Sequence, residues 1–514
     1  MKNSLGREIP DTIKGYYKEV KAFTGAYDNI GDVIKTQVRA KSVMPGKKKL
    51  LNSLEEAIKK TGLEDGMTIS FHHHLRNGDY VVNMVMDKIA SMGIKDIKIA
   101  SSSLFPIHAP LIEHMKSGVV TGLYASYMSG PVAEAVSEGI LENPIIMHTH
   151  GGRSRAIESG DIKIDVAFIA SPSCDSYGNI NGLYGESACG VLGYAISDAH
   201  YAEKVVAITD NLVAYPACPI EISQDYVDYI VVVDKIGDPR GIVSGTTRIT
   251  KDPIGLKIAK TTAQLIEASG LLKDGFSFQT GAGGTSLAVA ASVREIMKEK
   301  GIKGSFMSGG ITGYMVDMLE EGLFDSILDV QCFDLRAIES LKNNKNHQPM
   351  SASMYGNPHN KGAVVNNLDV VILGATEIDT DFNVNVTTGS NGVIMGGSGG
   401  HSDTAAGAKL AIVVSQLFKG RLPLIADKVT TVSTPGETID VLVTERGIAV
   451  NPRRKDLIER LKDSKIQLVS IEELKEIAER ITGKPMEIER DERIVAAIEY
   501  RDGTIIDVVR KIKR

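Results

Sequence analysis

One pattern in this chain appears twice, and it restricts the fold more than any other feature. Residues 165–181 read DVAFIASPSCDSYGNIN and residues 369–385 read DVVILGATEIDTDFNVN; without a gap Asp165 faces Asp369, Asp175 faces Asp379, Asn179 faces Asn383 and Asn181 faces Asn385. Each copy is a short apolar run that breaks into an acidic, Asn-containing turn. Such a run flanked by turn formers is a strand buried on both faces, the kind found in parallel sheets. Parallel strands need long crossover connections, so the repeat points to an α/β architecture with polar loops beyond the carboxyl ends of its strands.

The likeness extends upstream. GLEDGMTISF (62–71) and GLLKDGFSFQ (270–279) each give a turn and then a strand. A helical pattern follows in both halves. In the first, Asp79 is placed to cap it and Gly93 to end it; in the second, Thr285 or Ser286 caps and Gly301 ends it. Both halves then enter a new strand, KIASSS or SFMSGG. The expectation is two tandem, mutually similar open α/β domains with mostly parallel sheets. Residues 1–45 are read as a helical extension, 46–260 as the first domain and 261–514 as the second, with KDPIGLKIAKTTAQLIEASG as a boundary helix. The closing MEIERDERIVAAIEYRDGTIIDVVRKIKR reads as a hairpin that pairs with its own domain or with a partner edge.

Composition narrows the function. The net charge is −6 and charges of both signs are interspersed, without the basic tracts of a nucleic-acid surface. No apolar stretch approaches the roughly 18 residues that span a bilayer. Cys174, Cys189, Cys218 and Cys332 show no metal or redox spacing, and no apolar leader precedes the first polar residues, so a reduced, cytoplasmic protein is expected.

Four loops carry the candidate chemistry. In HHHLRNG (72–78), His72 and His74 face one way along an extended chain and His73 the other. A metal site there would need further ligands, and a structural loop is the plain alternative; imidazoles with Arg76 and Asn77 also suit a carboxylate. In HTHGGRSR (148–155), His148 and His150 share a face, Gly151 and Gly152 make a tight turn, and Arg153 and Arg155 form a cationic pair suited to bidentate carboxylate contacts. TGAGGTS opens a helix, and Gly281, Gly283, Gly284 and Thr285 there could hold a phosphate or carboxylate. In MGGSGGHSD, backbone amides around Gly397, Gly399 and Gly400 could stabilise an oxyanion, with Asp403 as helix cap and His401 as a further donor. No nucleophile stands out from the sequence.

The duplicated strand and turn, with VIMGGSGGHSDTAAGAK and VLVTERGIAVN, resembles the coenzyme A transferases. SFHHHLRNGDYVVNMV, GGRSRAIESGDIKIDVAFIASPSCDSYGNING and SACGVLGYA are more closely similar to the alpha subunits of bacterial citrate lyases, and the likeness runs over nearly the whole chain. The resemblance implies a transferase that exchanges the acetyl group of a carrier thioester for citrate, giving citryl thioester and acetate. Its partners would be a lyase (beta) subunit and an acyl-carrier (gamma) subunit in a homo-oligomeric assembly. No cofactor is bound permanently and no metal is needed; acetyl-CoA or the acetylated prosthetic arm of the carrier serves as co-substrate. Many coenzyme A transferases use a glutamate to carry a covalent intermediate. Here FMSGGITGY places Ser308, Gly309 and Gly310 at that strand end, leaving Glu377 as the reserve. Citrate is then expected against the His and Arg loops with Asn179, Asn181 and Asn383, and the thioester against the Gly-rich loops. The other readings are a coenzyme A transferase or acyl-CoA hydrolase for another acid, and a non-catalytic effector-binding module.

Overall fold

The computed structural model describes residues 1–31, 35–36, 41–243, 248–462, 464–484 and 488–513. Two open sheets form the frame. The first runs in space Leu50–Leu51, Tyr229–Val232, Lys204–Thr209, Val166–Ala170, Thr68–Phe71, Ile97–Ser101, Val120–Ala125, Ile145–Met147, Arg490–Glu499, Ile505–Ile512. The second runs His347–Pro349, Phe324–Cys332, Gly304–Ile311, Phe278–Thr280, Val370–Leu373, Leu410–Val414, Val441–Thr444, Gly447–Val450. Neighbours are parallel except for the last pair of each sheet. The two repeated apolar runs, Val166–Ala170 and Val370–Leu373, hold the same place in their sheets and are buried throughout.

The Asp and Asn residues of the repeat build the turn itself. Asp175 Oδ1 accepts the amides of Tyr177, Gly178 and Asn179, and Asn179 Nδ2 donates back to Asp175 Oδ2. Asp379 and Asn383 repeat this pattern, and Asn385 Oδ1 accepts the amides of Thr387 and Thr388. Asn181 likewise serves Leu183 and Pro219. Side chains that replace missing backbone partners in a tight turn explain the repeat without any ligand. Asn179, Asn181 and Asn383, expected at the substrate, are thus each engaged in turn hydrogen bonds.

Helix ends follow local chemistry with two corrections. Asp79 accepts the Val82 amide in the first turn of Val81–Ser91, and Gly93 lies beyond that helix at φ 79°. Gly301 closes Gly284–Lys300 in the left-handed region, but its cap is Gly283, so Thr285 and Ser286 lie inside the first turn. Gly400 likewise caps His401–Gly407, and Asp403 faces another element. The boundary helix forms over Pro253–Ala268, where Asp252 caps it and it packs on Gly284–Lys300.

The two ends of the described chain depart most from expectation. The described part of residues 1–45 contains no helix. It is tied by backbone hydrogen bonds to itself and to the terminal hairpin, where Phe23 N–H donates to Ile505 O and Ile505 N–H to Lys21 O. The hairpin Arg490–Glu499/Ile505–Ile512 leaves the second sheet and extends the first by parallel pairing with Ile145–Met147. Its outer strand is antiparallel, as is Gly447–Val450 at the end of the second sheet.

Candidate functional site at the seam between the two sheets

The loops after the strands of one half meet those of the other through backbone contacts. His150 N–H donates to Gly399 O at 2.8 Å, Gly399 N–H to Ser126 O at 3.2 Å and Met128 N–H to Gly396 O at 3.1 Å. Gln331 Nε2 donates to His73 O at 2.9 Å. Glycine is needed at this approach: a Cβ on Gly397 would lie 2.3 Å from Ser126 O, and one on Gly400 2.3 Å from the Tyr355 hydroxyl.

Around this seam the side chains form one connected cluster. The His73 ring lies 4.3 Å from Tyr194 and 5.4 Å from His150. Its Nδ1 is 2.6 Å from Ser102 Oγ. Burial, then the neighbouring His150 and Arg76, holds His73 well below the ordinary imidazole range. Burial and Arg153 lower His150 to about 3. Both rings are therefore neutral at pH 7, and the His150 Nδ1 is buried without a partner. From the second half, Gln279 bridges the Tyr355 hydroxyl at 2.8 Å and the Ser308 hydroxyl at 3.1 Å. Gly309, at φ 101°, sits at a register break in its strand, where a Cβ would strike Gln279. Gly310 makes room for the Phe333 ring.

Arg76 completes the cluster. Its guanidinium lies over Phe333 of the second half at 4.8 Å and over Phe105 of the first at 5.6 Å. It makes no hydrogen bond or ion pair with any described residue, and its Nη1 is buried without a partner. Burial lowers its pKa without neutralising it. A half-buried guanidinium between aromatic faces, with no described acid beside it, is favoured by an anion that joins it. The oxyanion expectation is narrowed as well. The amides of Gly397 and Gly399 are spent on Val386 O and Ser126 O, whereas those of Ser398 and Gly400 have no acceptor among the described residues.

Several expected site residues are engaged by the protein's own groups. Arg153 is buried in a bidentate pair with Asp198 at 2.8 and 2.7 Å, and His72 Nε2 meets the same carboxylate at 2.7 Å. Burial alone would raise Asp198, but Arg153 and His72 hold it below the usual carboxylate range. Arg155 is paired with Glu499 and Asp161, and His148 stands 3.2 Å from the Tyr17 hydroxyl. His74 bonds to Ala170 O, and Asn77 accepts the Ile107 amide. Gly151 and Gly152 have spent their amides on Asp403 and Thr149; a Cβ on Gly151 would meet Gly356 O at 2.1 Å. Both His401 ring nitrogens are engaged, by Thr434 Oγ1 and Gly374 O. Glu377 accepts from Asn385, the Thr430 amide and the Thr430 hydroxyl. Gly281, Gly283, Gly284 and Thr285 remain on an accessible loop at a helix start. Among the described residues no three His, Cys, Asp or Glu side chains converge as metal ligands. Tyr194, Tyr355, Gln279 and Gln331 join the site without having been expected there; only Gln279 had a signal, standing at the strand end just before a Gly-rich loop.

Glu499, where the terminal hairpin joins the first sheet, carries a pH signature. Burial would raise its carboxyl, but His148, Arg155 and Lys18 bring it down to about 2, below the ordinary 4.5. The unfolded chain then binds more protons between these values, so the stability Glu499 contributes is present above pH 4.5 and is lost as pH falls towards 2. Urea unfolding from pH 5 to 3 should show falling stability, where a tenfold difference in proton affinity between the folded and unfolded carboxyl is worth about 1.4 kcal/mol. Glu499→Gln should flatten that slope; an unchanged slope would refute this assignment.

Two open, mainly parallel sheets meeting through strand-end loops define an α/β protein whose site lies between its two halves. Fold likeness extends to the malonate decarboxylase alpha subunit from Acinetobacter baumannii, with a TM-score of 0.61 and 16% identity over 80% of this chain and 83% of that one. The family model "Citrate lyase, alpha subunit (CitF)" matches residues 47–512, and the chain belongs to that family. It is 54% identical to the citrate lyase alpha chain of Haemophilus influenzae over 91% of this chain and 93% of that one. It is 53% identical to that of Escherichia coli over 91% of each. The citrate lyase alpha subunit from Streptococcus mutans, solved in complex with citrate, matches with a TM-score of 0.96 and 54% identity over 100% of both chains.

Proposed function

We propose that the chain exchanges the acetyl group of an acetyl thioester for citrate, as the transferase subunit of a citrate lyase. The observation that carries this reading is the Arg76 guanidinium at the seam, unpaired among the described residues, in a family with a member solved with citrate. A citrate carboxylate pairs with Arg76, beside the neutral His73 and His150. Its oxygen attacks the thioester carbonyl carbon, and the developing oxyanion accepts from the Ser398 and Gly400 amides. The thiolate leaves, giving an acetyl–citryl mixed anhydride. The same thiolate then attacks the citryl carbonyl, and acetate departs with the bridging oxygen that began on citrate. Thioester is exchanged for thioester, so no ATP is required. The acetyl donor is acetyl-CoA or the acetylated arm of an acyl-carrier subunit, and a separate lyase subunit cleaves the citryl thioester. Placing both reactants supplies most of the acceleration, and the buried seam keeps water from the anhydride.

The pure chain with acetyl-CoA and citrate should release acetate and form citryl-CoA in equal amounts, with no oxaloacetate. With citrate labelled by oxygen-18 in its carboxylates, acetate from the first turnover should carry the label. A glutamyl-enzyme route would give unlabelled acetate first. Glu377→Gln should transfer as the wild type does, since that carboxylate is spent on Thr430 and Asn385. Oxaloacetate from the pure chain, or no exchange at all, would overturn the reading.

A further inference from the structure

Three consecutive residues of the first half are tied to one short segment of the second, and the tie lies beside the site. Thr149 Oγ1 donates to Asp403 Oδ1 at 2.8 Å, His150 N–H to Gly399 O at 2.8 Å and Gly151 N–H to Asp403 Oδ2 at 2.8 Å. Thr149 also caps the helix His150–Glu158 by accepting the Gly152 amide at 2.7 Å. Asp403 is thus a second cap for that helix, supplied from across the seam.

The carboxylate is held for this contact. Its own helix, His401–Gly407, begins directly after the segment that bears the Ser398 and Gly400 amides. Arg501, at the tip of the terminal hairpin, brings its Nε to 3.5 Å from Asp403 Oδ1 and spends its Nη2 on Gly356 O at 3.0 Å. Asp403, Thr149 and Arg501 are all buried. A Cβ on Gly356 would lie 3.0 Å from Asp403 Cβ, and one on Gly152 2.8 Å from Thr149 Oγ1, so little room is left to shift. Burial pushes the Asp403 carboxyl up to about 6 while Arg501 and the Gly151 and Thr149 donors pull the other way, and it is an anion at pH 7.

These contacts bracket His150. It stands between the two donors to Asp403, and a Cβ on Gly399 would lie 3.3 Å from its Nε2. The imidazole on the citrate side and the Ser398 and Gly400 amides on the thioester side belong to different halves, which Asp403 joins at this point. Attack requires the reacting atoms to be held in near contact, so the spacing of the halves here bears directly on rate.

We propose that Asp403 is a positioning residue for acyl transfer: through Thr149 and Gly151 it fixes the gap between His150 and the oxyanion-binding amides, and with it the gap between the two reactants. This rests on the exchange reaction proposed above. Asp403 acts through its neighbours, so its loss falls on the rate and on the fate of the mixed anhydride rather than on binding. A loosened seam admits water, whose oxygen attacks the acetyl carbonyl of the anhydride. Acetate and citrate then leave as carboxylates, one of the two water protons goes to the coenzyme A thiolate, and the other goes to solvent.

Thr149→Val removes one of the two side-chain ties with little change of shape and leaves Asp403 beside Arg501. Its citrate affinity by calorimetry should match the wild type, whereas kcat should fall roughly ten- to a hundredfold. Acetate should exceed citryl-CoA, where the wild type gives one for one. Thr149→Ser, which keeps the hydroxyl, should recover both the rate and the equal yields. Asp403→Asn should show the same split more strongly; if it does not fold, Thr149→Val and Thr149→Ser still decide. A Thr149→Val enzyme with wild-type kcat and equal yields would overturn the proposal and leave the exchange reaction standing. So would a loss confined to citrate affinity, or a fall in kcat that Thr149→Ser does not recover. A wild type that forms no citryl-CoA would instead remove the exchange reaction, and this inference with it.

Discussion

Replacing Arg153 with alanine should unfold the first half long before it disturbs citrate recognition. The guanidinium lies 2% exposed in a bidentate pair with Asp198, and its Nη2 also donates to Ala100 O at 2.9 Å. Removing one member of a buried pair leaves the other charged and desolvated, which costs about 3–5 kcal/mol. Asp198 would keep only His72 as a partner for its negative charge. Urea unfolding should report that loss, with the citrate concentration for half-maximal transfer unchanged for the folded fraction. Arg153→Lys should recover part of the stability, because a lysine supplies charge without the fork. An unchanged urea midpoint with a tenfold weaker citrate requirement would restore Arg153 as a substrate ligand.

Arg153 also shows what a sequence can hide. HTHGGRSR reads as a cationic loop because Arg is seldom fully buried. Its partner Asp198 lies 45 residues further on, and nothing local connects the two. The apolar runs were legible because a strand buried on both faces leaves an unbroken stretch, and both copies of the repeat hold that position. The Asp–Asn turns were legible as turns, but their polar residues proved to serve the backbone. The glycines of MGGSGGHSD were read as freeing backbone amides for an oxyanion, and in the structure they permit a close approach. What approaches is the backbone of the other half, which takes the amides of Gly397 and Gly399 out of play as donors. Tyr194, Tyr355 and Gln331 were missed because their part in the site is created by the docking of two halves, and periodicity along one strand carries no trace of it. The hairpin's partner was left open for the same reason. Its alternating pattern fixes a strand pair but not which of two exposed sheet edges it joins.

Arg76 should behave in the opposite way to Arg153. Its neighbours Phe105 and Phe333 offer aromatic faces, and no described acid meets the guanidinium. Removing a half-buried cation that meets no acid among the described residues deprives no described group of its partner, so Arg76→Gln should unfold at the same urea concentration as the wild type or a higher one. The loss should fall on citrate. A charge-assisted, bidentate bond to a carboxylate is worth about 1.5–3 kcal/mol. The citrate affinity measured by calorimetry should therefore fall roughly ten- to over a hundredfold. The citrate requirement for acetate release should rise in step, with little effect on acetyl-CoA. Arg76→Lys should recover only part of the affinity, since an ammonium group offers one point of contact where the carboxylate has two oxygens. Calorimetry separates this site from the chemistry that follows it. A variant that binds citrate normally yet transfers poorly would place Arg76 on the thioester instead. Normal binding and normal transfer together would mean that the unpaired guanidinium serves neither substrate.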